Sequence, residues 1–402
     1  MSADLTRRGA LVAAGASLLA RPALARVNDP WLAAGLPAAG REGLRAAFQA
    51  GMDESLISGG SLLIQQRGQA IFNEAFGYAD IAAKRAFTIT EVASLASISK
   101  PHAATTLMCL VEDGLIGLDE PISSYMPAFA DLRIKATGVP THAPTLRQLL
   151  SHTAGFLGLS AGDGWQTLLY GSPNMARAAE AFARDGLIYP PGQGYAYGEI
   201  DFIVAAALAE QVTGKAFETL LRDKLLDPIG AASTTYFPDQ SVIDQMPLRY
   251  RPVPGGLEPI APRKVRASGV AFDPAGSLVA NAEDVARLFN LHLNRGRAGR
   301  IRVLKPATVR EMQTLQPRAQ AYGLGINLQW LPKDGSRPII RHGGATGTMA
   351  WADYQTGIVG VLLTQTNWQL VPEWSTIFYS ALGKSGAGRM MTLGVPVVER
   401  GR

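Results

Sequence analysis

The chain of 402 residues holds one cysteine, Cys109. No intramolecular disulfide can form, and structural zinc of the CxxC type is excluded. A lone thiol inside an apolar helical stretch is expected to pack in the core. Charged residues make up only 18% of the chain, and no block of Lys or Arg runs along one segment. The formal charge of +5 is therefore no nucleic-acid footprint. His102, His142, His152 and His292 show no metal-ligand spacing, so neither a zinc hydrolase nor any cofactor is expected. Beyond the N-terminus no run approaches about 18 uncharged apolar residues, and no transmembrane anchor is expected. What is abundant is hydrophobic residue content, 47%, enough for a large core.

The N-terminus reads as an address. Arg7 and Arg8 precede the short apolar run Val12 to Ala20, and Ala23-Leu24-Ala25 supplies a small-x-small cleavage site. The spacing predicts a signal peptide over residues 1–25. The paired arginines point to the twin-arginine route and to a periplasmic or secreted mature protein.

Hydrophobic periodicity organises the remainder. Leu44, Ala47, Phe48, Met52 and Leu56 predict an amphipathic helix over 41–57. Ser61 to Gln66 and Gln69 to Phe76, joined at Arg67-Gly68, predict a hairpin. A helix is expected from Ser97 to about Asp113, ended by Gly114, and others at Leu146 to Ser151, Asp201 to Thr213 and Ala216 to Leu226. Asn281 caps an expected helix over 285–293. Strands are expected at Tyr322 to Trp330, Pro338 to Arg341, Met349 to Asp353 and Ile358 to Thr366, with a closing helix at Trp374 to Leu382. No internal repeat or low-complexity linker divides the chain.

Three stretches carry candidate chemistry. Ser97 and Lys100 stand three apart, on one helical face, where a lysine that sheds its proton activates the serine as a nucleophile. A helix start at Ser97 also offers free N–H groups to an oxyanion. Tyr197, in Tyr195-Ala-Tyr197-Gly-Glu199, would relay protons if it faced Lys100; the alternative is a packing tyrosine. Arg341-His342-Gly343-Gly344-Ala345 follows a strand, where small residues let a substrate lie on the edge and a backbone N–H serve an oxyanion hole; the alternative is a glycine loop. A competing motif, Gly158-Leu-Ser160-Ala-Gly162, matches a nucleophile elbow, but no strand leads into it and Ser160 is set aside.

Taken in order, these stretches resemble the serine β-lactamase and penicillin-recognising superfamily, in its class C β-lactamase and family VIII carboxylesterase branch. Val92 to Pro101 resembles the nucleophile segment, Leu110 to Pro121 the stretch after it, and Leu149 to Gly155, Gly276-Ser277-Leu278 and Tyr322 to Gly325 later hallmarks. The resemblance implies an α/β fold of β-lactamase type: an antiparallel sheet flanked by N- and C-terminal helices, with an inserted, mostly helical lobe. It implies one domain over 26–402, the sheet lobe from about 30–95 and 320–385 and the helical lobe from about 97–319. It further implies Ser97 as acylated nucleophile, Lys100 as its proton acceptor, Tyr197 as activator of Ser97 and of the deacylating water, and the backbone N–H groups of Ser97 and Ala345 as oxyanion hole.

Two departures bear on the substrate. His342-Gly343-Gly344 stands where relatives have Lys-Thr-Gly, replacing a permanent cation. Glu199 stands where the lactamases have an amide, and would repel an anion if it lined the site. Both favour a carboxylesterase acting on small neutral esters, with His342, Gly343, Gly344 and Glu199 on the substrate. The alternatives are a β-lactamase or D-amino-acid peptidase, and a non-catalytic binding protein on the same scaffold.

Overall fold

The computed structural model describes residues 29–158, 164–262, 264, 266–330, 338–367 and 377. The expected leader, Ser160 and the closing helix other than Ile377 lie outside the described residues.

The N-terminal part contributes helices α1 (Pro30–Ala33) and α2 (Ala38–Asp53), strands β1 (Gly59–Gln66), β2 (Gln69–Asp80), β3 (Arg85–Ala86) and β4 (Ala93–Ser94), and helix α3 (Ser99–Glu112). The middle holds α4 (Leu146–Leu150), α5 (Gly164–Tyr170), α6 (Met175–Asp185), α7 (Ile200–Thr213), α8 (Phe217–Leu221), α9 (Asp227–Ile229) and α10 (Gln240–Gln245). There follow the hairpin β5 (Tyr250–Val253) and β6 (Gly256–Pro259), strand β7 (Val279–Ala280), α11 (Ala282–Leu293), the hairpin β8 (Arg297–Ala298) and β9 (Ile301–Arg302), and α12 (Pro306–Met312). The chain then returns to the sheet through β10 (Asn327–Trp330), β11 (Ile339–Gly344), β12 (Thr348–Asp353) and β13 (Ile358–Thr364).

Seven strands form one antiparallel sheet in the order β10-β11-β12-β13-β1-β2-β3, so segments from either side of the helical part meet at β13 and β1. Alternation along β1 explains why both faces are covered. Leu62 and Ile64 join Leu44 and Phe48 of α2, while Leu63 turns to the other core, shared with Val285 and Phe289 of α11. Arg45 clamps α2 to β2 by contacts of 2.8 and 2.6 Å to Glu74. The Asn281 side chain accepts from the Asp284 N–H at 2.9 Å and caps α11 as its sequence suggests.

Two expectations change. Of the stretch Tyr322 to Trp330 only Asn327–Trp330 is strand, because Gly325, at φ +71°, turns the chain against α3, where a Cβ would lie 2.2 Å from that of Ala104. Conversely β11 runs through His342 to Gly344, pairing Gly343 with Met349 and Gly344 with Thr348. The glycines there are strand, not loop.

Trp351 and Gly360 are cross-strand partners on β12 and β13. The indole lies over the glycine so closely that a Cβ would sit 2.0 Å from Cζ2. Gly360→Ala is therefore expected to destabilise the fold by about 2–3 kcal/mol through overpacking, read as a lower urea midpoint.

Candidate active site

The segment carrying Ser97 enters through the short β4–β7 ladder, which pairs Ala93 with Ala280 and Ser94 with Val279. Ala96 takes φ +48°, breaking the strand, and a 3-10 turn over Ala96–Ile98 runs directly into α3. Ser97 thus stands at the start of a helical segment, and α3 is buried from Ser99 to Leu110. The Ser99 hydroxyl locks this entry, donating to the Ala96 carbonyl at 2.6 Å and accepting from the Leu278 N–H at 3.1 Å. Cys109 lies in the same buried helix, its thiol pushed up to about 12 by burial.

Lys100 is fully buried one turn from Ser97 and its ammonium donates to Ser97 Oγ at 3.1 Å. It also donates to Glu199 Oε2 at 2.6 Å. Tyr197 packs beside them, with the lysine nitrogen 4.6 Å from its ring centroid. Burial by itself would lower the Lys100 pKa; Glu199 first, then Tyr197 and Asp273, reverse this and hold it above its ordinary value. Burial raises the Tyr197 phenol, against the pull of Lys100. The resting site therefore contains a buried ammonium and a neutral phenol.

Helix α7 explains how Glu199 arrives. Ile200 to Ala209 are all buried, so this helix is apolar around its circumference and its N-terminus is driven inside with Glu199 and Asp201 attached. Before it, residues 188–198 run along 152–158, with Ala196 N–H donating to the His152 carbonyl at 3.0 Å and Gly192 N–H to that of Thr153 at 2.8 Å. His152 Nδ1 meets Asp201 Oδ2 at 2.9 Å, and its ring packs 4.6 Å from Tyr197 and 4.9 Å from Tyr322. Burial pushes His152 well below its usual range and Asp201 well above. The contact is a hydrogen bond to a neutral imidazole, fixing the wall behind Tyr197.

The fourth wall is the end of β11. A Cβ on Gly344 would lie 2.3 Å from the Leu95 carbonyl oxygen, so glycine is what lets β11 abut the nucleophile segment. Thr346 donates to the Ser94 carbonyl at 2.7 Å and Thr348 to that of Leu95 at 2.9 Å, which ties the turn carrying the exposed Ala345 to the residues just ahead of Ser97. His342 faces inward. Its Nδ1 meets the Gly343 carbonyl at 2.8 Å and so carries the proton, leaving Nε2 to accept from Tyr322 Oη at 2.9 Å. Burial, helped by Lys100, lowers its pKa to about 3.

The structure thus brings Ser97, Lys100, Tyr197 and Glu199 into mutual contact and sets Gly344 and the Ala345 turn beside them. His342 and Glu199, expected on the substrate, instead face Tyr322 and Lys100. Sequence reasoning missed Tyr322 and Asp273, a buried carboxyl in the field of Lys100 and Glu199, and marked Asp201 only through the family resemblance, four residues after Tyr197. Tyr322 opens a recognised hallmark, which was its one signal; nothing local marks Asp273. Among the described residues no cluster of His, Cys, Asp and Glu could hold a metal ion.

Comparison with known proteins agrees with this geometry. Residues 44–372 match the model of the family described as Beta-lactamase. Penicillin-binding protein 4 of Amycolatopsis lactamdurans is 28% identical over 334 residues, covering 78% of this chain and 82% of that protein. Esterase EstB of Burkholderia gladioli is 24% identical over 365 residues, covering 81% and 90%. Among solved structures, EstCE1, a hydrolase with promiscuous acyltransferase activity, aligns with a TM-score of 0.74 at 23% identity, covering 87% of this chain and 99% of that one.

A buried neutral His342 gives a testable sign. Its folded pKa of about 3 lies below the ordinary imidazole value of 6.5, so the unfolded chain binds more protons between these values and the group's contribution is lost as pH falls. Asp201 and Asp273, raised by burial, act in the opposite sense. The effect is isolated by comparison with His342→Gln. The stability advantage of the wild type over this variant should shrink by about 1.4 kcal/mol per pH unit below pH 6.5, measured as urea midpoints from pH 7 to 4.5.

Proposed function

The chain belongs to the Beta-lactamase family, and from that premise we propose that it is a serine carboxylesterase that forms an acyl-enzyme on Ser97. The observation that carries this reading is the buried contact set of Ser97, Lys100, Tyr197 and Glu199 beside a β11 whose His342 is neutral and engaged at both nitrogens. Without a cation at His342, a β-lactam or peptide carboxylate loses the partner that this position of β11 would supply. The substrate is thus a small ester, neutral around its scissile bond. The esterase among the sequence relatives supports this choice.

Ser97 Oγ attacks the ester carbonyl, and the oxyanion is taken by the backbone N–H groups of Ser97 and Ala345. The resting Lys100 is an ammonium and cannot itself accept the serine proton. Across the 2.6 Å contact it passes a proton to Glu199, accepts that of Ser97 and is an ammonium again, so that the net acceptor is the Glu199 carboxylate. Tyr197 protonates the departing alkoxide and is reprotonated through Lys100 from Glu199. Water then attacks the acyl-enzyme, its proton follows the same path, and Ser97 is restored. Glu199 acts here inside the machinery; the expectation that it repels anions at the surface of the site no longer supports neutral esters.

Ser97→Ala should abolish hydrolysis of p-nitrophenyl butyrate and labelling by a fluorophosphonate, while Ser160→Ala keeps both; the reverse pattern would sink the assignment. Glu199→Gln should lower kcat/KM by about 100-fold, the scale of one general acid–base contribution, and unchanged turnover would remove Glu199 from the proton path. Nitrocefin hydrolysis exceeding ester hydrolysis would favour the lactamase alternative. No turnover and no phosphonate adduct would favour the binding protein.

Export by the twin-arginine route belongs to the same proposal, resting on Arg7, Arg8 and the Ala23-Leu24-Ala25 site. So does a single catalytic unit over residues 26–402. Among the described residues no helix is long and apolar enough to cross a membrane. Periplasmic protein is expected to begin near Arg26 by N-terminal sequencing, and a retained Met1 would count against the leader.

A further inference from the structure

A cavity of about 290 Å³ reaches β4, the strand just ahead of Ser97, and is lined among others by Ser94, Gly276, Gln365, Arg249, Arg266 and Tyr170. Two features tie it to the catalytic machinery. The Ser94 carbonyl accepts from Thr346, in the turn carrying Ala345, and also from Gln365 Nε2 at 3.1 Å, so the oxyanion turn and the cavity share a wall. Gly276 backs onto Asp273, a Cβ there lying 2.5 Å from Oδ2, and Asp273 in turn lies in the field of Lys100 and Glu199.

Neither arginine forms an ion pair among the described residues. Arg45, Arg85, Arg147 and Arg251 each meet a carboxylate at 2.5 to 2.8 Å. Arg249 is half-buried, its Nε has no hydrogen-bond partner among the described residues, and burial alone shifts its guanidinium, downward, with no carboxylate to offset it. Arg266 lies over the Tyr170 ring at 4.0 Å. The carboxyl in its field is Asp273, which burial first and Glu199 second raise to about 8, making it a weaker counter-charge than an ordinary carboxylate. Withdrawing a guanidinium from water without an anion is costly, and its planar fork matches a carboxylate.

We propose that this cavity holds a carboxylate of the substrate between Arg249 and Arg266, which makes the substrate class an ester neutral at its reacting end and anionic at its far end. This rests on the esterase reading above. It differs from the expectation of a wholly neutral ester because the anion is received at the cavity and not on β11. A carboxylate held by an unpaired guanidinium is a charge-assisted contact that strengthens binding by roughly tenfold.

The experiment compares two matched pairs, each corrected for its spontaneous rate. Mono-4-nitrophenyl glutarate against 4-nitrophenyl pentanoate places the carboxylate on the acyl side; 4-acetoxybenzoate against phenyl acetate places it on the alcohol side. One pair should show an anionic-to-neutral ratio of kcat/KM of about ten, falling toward one in Arg249→Gln, in Arg266→Gln and at high ionic strength. Arg251→Gln, whose arginine is paired with Glu258, should keep the ratio. Hydrolysis of the neutral esters with ratios of one in both pairs overturns the assignment of the cavity. No hydrolysis of any of the four, with no phosphonate adduct, overturns the esterase reading and this inference with it.

Discussion

A buried ammonium is the constraint on which the centre of this molecule depends. Lys100 has no access to solvent, and its charge survives there only because Glu199 and Ser97 accept from it and the Tyr197 ring packs against it. An isolated ammonium in such surroundings would cost several kcal/mol or lose its proton. The pair therefore dictates placement: α3 must present Lys100 one turn after Ser97, and α7 must bring Glu199 inside at its N-terminus. Much of the helical part serves to hold those two helices against each other.

A second requirement is the close approach of the sheet to the nucleophile. Gly344 removes the side chain that would separate β11 from Leu95, and Thr346 and Thr348 convert the proximity into fixed hydrogen bonds. Behind them His342, Tyr322, His152 and Tyr197 form a packed chain of rings. Because both histidines are neutral, this wall adds no positive charge to compete with Lys100 for Glu199.

Local pattern carried a good part of this. The β1–β2 hairpin is visible in two apolar runs around Arg67-Gly68, the cap of α11 in Asn281, and the Ser97 and Lys100 pair in its helical spacing. A sheet built from both chain ends with helices inserted follows from where such runs fall along the chain; its antiparallel order was implied by the family resemblance. Contacts between distant residues were invisible: Lys100 and Glu199 are separated by 99 positions, and either alone reads as an ordinary charge. The strand through Gly343 and Gly344 was hidden for another reason. Glycine has no side chain to alternate, so its pairing with Met349 and Thr348 decides the conformation. Arg249 and Arg266 pass in the sequence as two more basic residues, and only their meeting at one cavity sets them apart.

The register that pairs Gly60 with Thr364 also has a kinetic meaning. Strand β1 cannot complete its side of the sheet until nearly the whole chain is present, since its neighbour β13 arrives some three hundred residues later. Closing so long a loop is slow, and contact order of this kind delays folding until the last elements dock. Ser97 and Lys100 belong to the early chain, whereas the turn carrying Ala345 belongs to the late one. A nascent chain therefore carries the proposed nucleophile long before the proposed oxyanion hole can form, and the two come together only when the sheet closes.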